Sequence, residues 1–149
     1  MSLQRLLEEQ VGRLSTLRDR LEEEQALLVA GDIDGHRLQA VAEEKTQLQE
    51  SLEGTERRRA EVQRRLGYPA GRDGARQAAA DADCLAQWEA LLATAGEVAR
   101  LNERNGRLLE LRMGHNQEML DYIHRLANPA VYGADGRTGL QPRRLDARA

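Results

Sequence analysis

From Leu85 to Ala127, apolar or small residues return at alternating three- and four-residue steps: Leu85, Trp88, Leu92, Ala95, Ala99, then Leu109, Met113, Leu120, Ile123 and Ala127. A pattern held over so many turns specifies a long amphipathic helix and excludes a sheet, whose faces alternate every second residue. Asn102, Gly106 and Asn116 interrupt that same face. Glycine in a helix costs about 1 kcal/mol against alanine, so selection for stability alone would have left Leu or Ala at these positions. Gly106 could permit close approach of another helix, with the asparagines fixing register at the seam. The same interruptions could instead shape a binding surface, and the two roles can coexist.

The rest of the chain is also written for helices. It has 149 residues, enough for one domain, with no Phe, one Trp and three Tyr. Aromatic and β-branched residues are too few for a sheet, and a thin Leu-rich seam suits an elongated, all-α, coiled-coil-like bundle. Leu3, Leu7, Leu14, Leu17, Leu21 and Leu28 define one face of a helix over residues 2–30, widened by Leu6, Val11 and Leu27. Gln10 and Glu24 fall on its seam. Ser2 is placed to cap this helix and Gly31 to end it in a left-handed conformation. The link Gly31–Gly35 is short, so a second helix over residues 33–66 folds back antiparallel to the first. Its seam reads Leu38, Val41, Lys45, Leu48, Leu52, Thr55, Arg59, Val62 and Leu66. The polar members, Lys45, Thr55 and Arg59, are expected at a bundle edge, where long stems can lie on apolar surface. Gly67, Pro69, Gly71 and Gly74 break the pattern, leaving a linker over residues 67–82 that is mobile or forms a short helical turn after Ala75. A third long helix over residues 83–127, capped by Asp81 or Asp83, ends before Asn128-Pro129. The expected organisation is a helical bundle over residues 1–130 and a flexible tail over 131–149.

Charge and side-chain chemistry narrow the function. A net charge of −3 gives no general attraction to nucleic acid. Arg57-Arg58-Arg59 and Arg64-Arg65 complement a helix C-terminus or form a patch for an acidic partner, and no aromatic residue interleaves with them. One cysteine excludes an internal disulfide and an all-cysteine metal site. The absence of a basic leader and of any apolar run near ~18 residues predicts a cytosolic protein with no membrane insertion. His115 with Glu118, and Asp121 with His124, have the spacing of half a di-metal carboxylate site, but no matching pair stands on the earlier helices. Cys84 has no histidine near it in sequence and is expected as a small apolar residue. Trp88 is expected to anchor the third helix on the first two. With no assembled acid, base or nucleophile, the chain is expected to be no enzyme and to need no metal or cofactor.

Asn102-x-x-Asn105-Gly106-x-Leu108-Leu109, followed by Asn116-Gln117, resembles the signature of the FlgN family of flagellar export chaperones. Tyr132-Gly133-Ala134-Asp135-Gly136-Arg137-Thr138 is similar to the family's short motif after the last helix. The resemblance is strong from Trp88 to Thr138 and rests on pattern before that. It implies a cytoplasmic chaperone that binds the C-terminal helical segments of the hook-associated proteins FlgK and FlgL and prevents their premature association. It also implies delivery to the export gate protein FlhA, with the export component FliJ as a further partner. On this reading Leu101, Asn102, Asn105, Gly106, Leu108, Leu109, Met113, Asn116, Met119, Leu120 and Ile123 make the client surface. Leu111 and Leu126 widen its apolar stripe, and Tyr132, Gly133, Asp135 and Gly136 dock at the gate. The residues taken by themselves leave an alternative, a coiled coil that pairs as a homodimer through the same stripe and has no client.

Overall fold

The computed structural model describes residues 2–127. The expected stop at Asn128-Pro129 and the tail with Tyr132, Gly133, Asp135 and Gly136 lie outside the described residues. Among the described residues all regular structure is helical: α1 (Leu3–Val29), α2 (Gly35–Arg65), α3 (Arg72–Asp81) and α4 (Leu85–Ala127). The chain divides into two units, Met1–Leu108 and Leu109–Ala149, and α4 contributes to both.

Local chemistry accounts for each boundary. The Ser2 hydroxyl accepts the Arg5 N–H at 3.2 Å and the Asp34 carboxylate accepts the Arg37 N–H at 3.0 Å, capping α1 and α2. Each such cap contributes about 1 kcal/mol. Gly31 does not end α1 in a left-handed turn. Ala30 does the work in extended geometry (φ −66°, ψ 148°), which already carries the chain away from the helix axis. α2 ends in a Schellman motif: Gly67 has φ +89°, its N–H donates to the Arg64 carbonyl at 3.0 Å, and the Tyr68 N–H donates to the Gln63 carbonyl at 3.2 Å.

The stretch expected as a linker contains α3. Its entry is Gly71 (φ +104°), and its exit repeats the Schellman pattern with Asp83 in the left-handed position (φ +57°) and the Cys84 N–H donating to the Ala79 carbonyl at 2.8 Å. Neither aspartate expected to cap the next helix is spent that way. Asp83 makes this turn, and Asp81 accepts the Tyr68 hydroxyl at 2.5 Å, fastening the loop to the far end of α3.

α1 and α2 form an antiparallel hairpin. The partners Gln10–Glu56, Arg20–Glu44 and Glu23–Arg37 descend α2 as they climb α1. The first half of α4 runs parallel to α1. Cys84 and Trp88 cluster with Leu3 and Leu7, Arg18 pairs with Glu97 at 3.5 Å, and Asn105 reaches Leu21. Ala75, Ala78 and Ala79 of α3 complete this core, which Leu91 extends. Alanines suit a short helix here, because they let its backbone approach a crowded seam without displacing larger side chains.

Two polar seam residues expected at an edge are buried instead. Thr55 is fully buried, donating to the Ser51 carbonyl and accepting from Arg13 and Arg58. Arg59 lies under Trp88, its guanidinium carbon 5.4 Å from the ring centroid, and is bound by Glu56 and Gln63. A buried guanidinium needs both a carboxylate and a polarisable face, and α2 and α4 supply them. Burial raises the Glu56 pKa, but hydrogen bonds from Arg59 and Gln10 outweigh it and hold the carboxyl below its ordinary range.

Candidate docking surface on α4

The line of α4 that packs within Met1–Leu108 is not the one read from the sequence. Cys84, Trp88, Leu91, Thr94 and Asn105 are buried, with Leu101 and Leu108 half-buried beside them. Ala99, Asn102 and Gly106, expected on the packed face, are exposed. The inner line therefore runs one residue ahead of the expected one from Leu91 onward. The sequence offers two adjacent apolar lines there (Leu91 beside Leu92, Leu108 beside Leu109), and spacing alone cannot choose between them.

Asn105 makes the choice. Its Nδ2 donates to the Leu21 carbonyl at 2.8 Å and to Glu24 Oε1 at 3.0 Å, and Glu24 in turn holds Lys45 at 3.0 Å. Only 2 % of Asn105 is exposed, so the residue expected to shape a client surface instead ties α4 to α1. Gly106 needs correction too. A Cβ built on it meets nothing within 4 Å, so close helix approach does not explain it. Gly106→Ala is therefore expected to stabilise the protein by about 1 kcal/mol, raising the melting temperature by about 2–4 °C. A lower melting temperature by circular dichroism would show that the position is crowded after all.

Beyond Leu108, the helix from Leu109 to Leu126 exposes about half or more of most of its large apolar side chains: Leu109, Leu111, Met113, Met119, Leu120, Tyr122, Ile123 and Leu126. At about 100° per residue, Leu109, Met113, Leu120 and Ile123 share one line, and Met119, Leu126, Tyr122 and Leu111 continue it round the helix. Together they span an arc of about 200°, interrupted by Arg112 and His115, with Glu110, Gln117, Glu118, Asp121, His124 and Arg125 on the remainder. An ordinary surface helix hides an apolar stripe of about 100°. Asn116 lies in this helix, and its side chain is outside what the structure describes. Tyr122 was not among the residues picked from the sequence. Its position three residues after Met119 and four before Leu126 is the signal that would have found it.

Little else invites chemistry. Burial, followed by the nearby charges of Asp83 and Glu8, pushes the Cys84 thiol up from its ordinary pKa, which disfavours the thiolate a nucleophile requires. Among the described residues no group of three His, Cys, Asp or Glu could hold a metal ion. No helix among them is long and apolar enough to cross a membrane.

Comparison with known proteins agrees with the motifs on α4 and beyond it. The family model described as FlgN protein matches residues 1–139. The chain is 33% identical over 141 residues to the flagella synthesis protein FlgN of Salmonella typhimurium strain LT2, covering 95% of this chain and 93% of that one. It is 32% identical over 135 residues to the Proteus mirabilis protein of the same name (91% and 88% covered) and 28% identical over 136 residues to that of Escherichia coli K12 (91% and 89%). No solved structure gives a significant match. A family model spanning nearly the whole chain, with relatives of matching length, makes this protein a member of the FlgN family.

Proposed function

We propose that the chain is a cytoplasmic flagellar export chaperone, with the apolar arc of α4 from Leu109 to Leu126 as its client surface. The observation that carries this reading is the arc itself: a long run of exposed Leu, Met, Ile and Tyr on one helix of a FlgN-family protein. Its clients are the amphipathic C-terminal segments of FlgK and FlgL, which order on the arc as they bury their own apolar faces. Met113 and Met119 suit a surface that must fit more than one client, because thioether chains repack easily. Leu101, Asn105 and Leu108 act at one remove, seating α4 on α1. The helical part, residues 1–130, carries the client. The tail, residues 131–149, carries the address, with Tyr132, Gly133, Asp135 and Gly136 engaging FlhA and with FliJ as a further export partner.

Calorimetric titration with the C-terminal segment of FlgK or FlgL tests the proposal. Saturable binding with a negative heat-capacity change is expected. Met113→Asp combined with Leu120→Asp should weaken it by at least about tenfold, since each removes an apolar anchor worth roughly 1–2 kcal/mol. Tyr132→Ala should leave client binding intact and abolish capture by FlhA. Failure of the folded protein to bind either segment would sink the client assignment. The width of the arc also favours a second reading, in which two unloaded copies pair through it, and sedimentation of the double aspartate variant as a smaller species would reveal that.

A further inference from the structure

A second surface, on the hairpin, is built for an anion. Arg57 and Arg58 of α2 both fold back over Gly54: a Cβ there would meet Arg57 Nη2 at 3.8 Å and Arg58 Nη1 at 3.9 Å. Arg13 of α1 joins them from the other helix, donating to the same Thr55 hydroxyl that accepts Arg58 Nη2 at 3.1 Å. Three guanidinium groups thus converge on one glycine and one hydroxyl. Of the carboxylates around them, Glu53 is bound only by the Gln49 amide at 3.3 Å, and Glu56 and Glu61 are occupied by other groups. Glu56 holds Arg59 and Gln10, and Glu61 holds Arg64 at 2.6 Å and Arg65 at 3.0 Å, bonds that pull its pKa down to about 2. Glu9 reaches Arg13 only at 3.8 Å. Among the described residues, neither Arg57 nor Arg58 is within ion-pair distance of a carboxylate.

Arg57 and Arg58, though not Arg13, line an open groove of about 540 Å³ together with Leu6, Gly54, Glu61, Val62 and Arg65. Leu6 is fully buried beneath it and Val62 is half-buried, so the apolar surface that the floor offers is that of Val62. A bare phosphate would use the arginines and leave that floor unused. A peptide with carboxylates flanking an apolar side chain would use both. We infer that this groove is a docking site for an acidic amphipathic segment of a partner protein, separate from the apolar arc on α4.

Fluorescence anisotropy with a labelled helical peptide of glutamate, leucine and alanine repeats tests this on the full-length protein. Saturable binding that weakens as salt rises is expected. Arg57→Glu with Arg58→Glu should reduce affinity on the order of tenfold or more while leaving the helical melting curve in place, because both side chains are exposed and Thr55 keeps its bond to Arg13. Glu61→Gln should act in the opposite direction by releasing Arg64 and Arg65. No binding of the peptide, equal binding by the charge-reversed variant, or a preference for phosphatidylglycerol vesicles lost on the same substitutions would each overturn the assignment.

Discussion

Trp88→Ala is expected to cost about 3–5 kcal/mol of unfolding free energy, enough to lower the melting temperature by roughly 6–20 °C in a chain of this size. Trp88 is 6 % exposed and packs in the cluster where α1, α3 and α4 meet. Its face also covers Arg59, so truncation would open a cavity and strip a buried guanidinium of its aromatic partner. Glu56 and Gln63 would still hold that charge. Trp88→Phe keeps a ring over Arg59 and should therefore recover most of the loss. Urea unfolding followed by far-ultraviolet circular dichroism measures all three proteins. In the parent, emission from this single tryptophan should report the same transition. A change of less than about 1 kcal/mol, the scale of a surface substitution, would mean that Trp88 does not join the helices as described.

Gly74→Ala should also be severely destabilising, although the same exchange at Gly106 is expected to help. A Cβ at Gly74 would overlap the Pro69 carbonyl oxygen, lie 2.8 Å from its carbon, and stand 2.9 Å from Gln63 Nε2. That carbonyl accepts the Gln63 amide at 2.6 Å, and the Gly71 carbonyl accepts it at 3.3 Å. Gln63, itself buried, thus pins the loop between α2 and α3, and an alanine would push the loop off its pin. Overpacking costs about 1–3 kcal/mol, and an orphaned buried amide adds about 1–3 kcal/mol more. Hydrogen exchange should localise the damage, with amides of α3 losing protection before those of α1 and α2. If Gly74→Ala leaves the melting temperature unchanged or raises it, the loop is not pinned as described.

The two glycines show where reading the sequence succeeded and where it could not. Helix content, the hairpin and the Ser2 cap were legible because they depend on neighbours within a turn or two. The role of Trp88 as an anchor was legible from its place on an apolar line. Gly74 was readable as a breaker but not as a point of contact, because the atom it must avoid belongs to a loop whose path only the fold defines. Arg59 and Thr55 look alike in sequence to edge residues. Their burial depends on Trp88 and Arg13, each supplied by a different helix. For the docking surface, apolar content between Leu109 and Leu126 was plain. Which face of α4 stays open was not, since Asn105 chose the packed line through a carbonyl 84 positions away.

That last bond also sets a rule of measure for the molecule. One residue inserted between Trp88 and Asn105 would swing everything after it by about 100° and advance it about 1.5 Å. The asparagine would then face solvent, and the Leu21 carbonyl would keep only the N–H of its own helix. Seven residues would nearly restore the angle, but would carry the asparagine about two turns past Leu21 unless α1 and α2 grew alongside. The three long helices therefore behave like a ruler with fixed graduations. This half of the molecule can change length only in matched heptad increments.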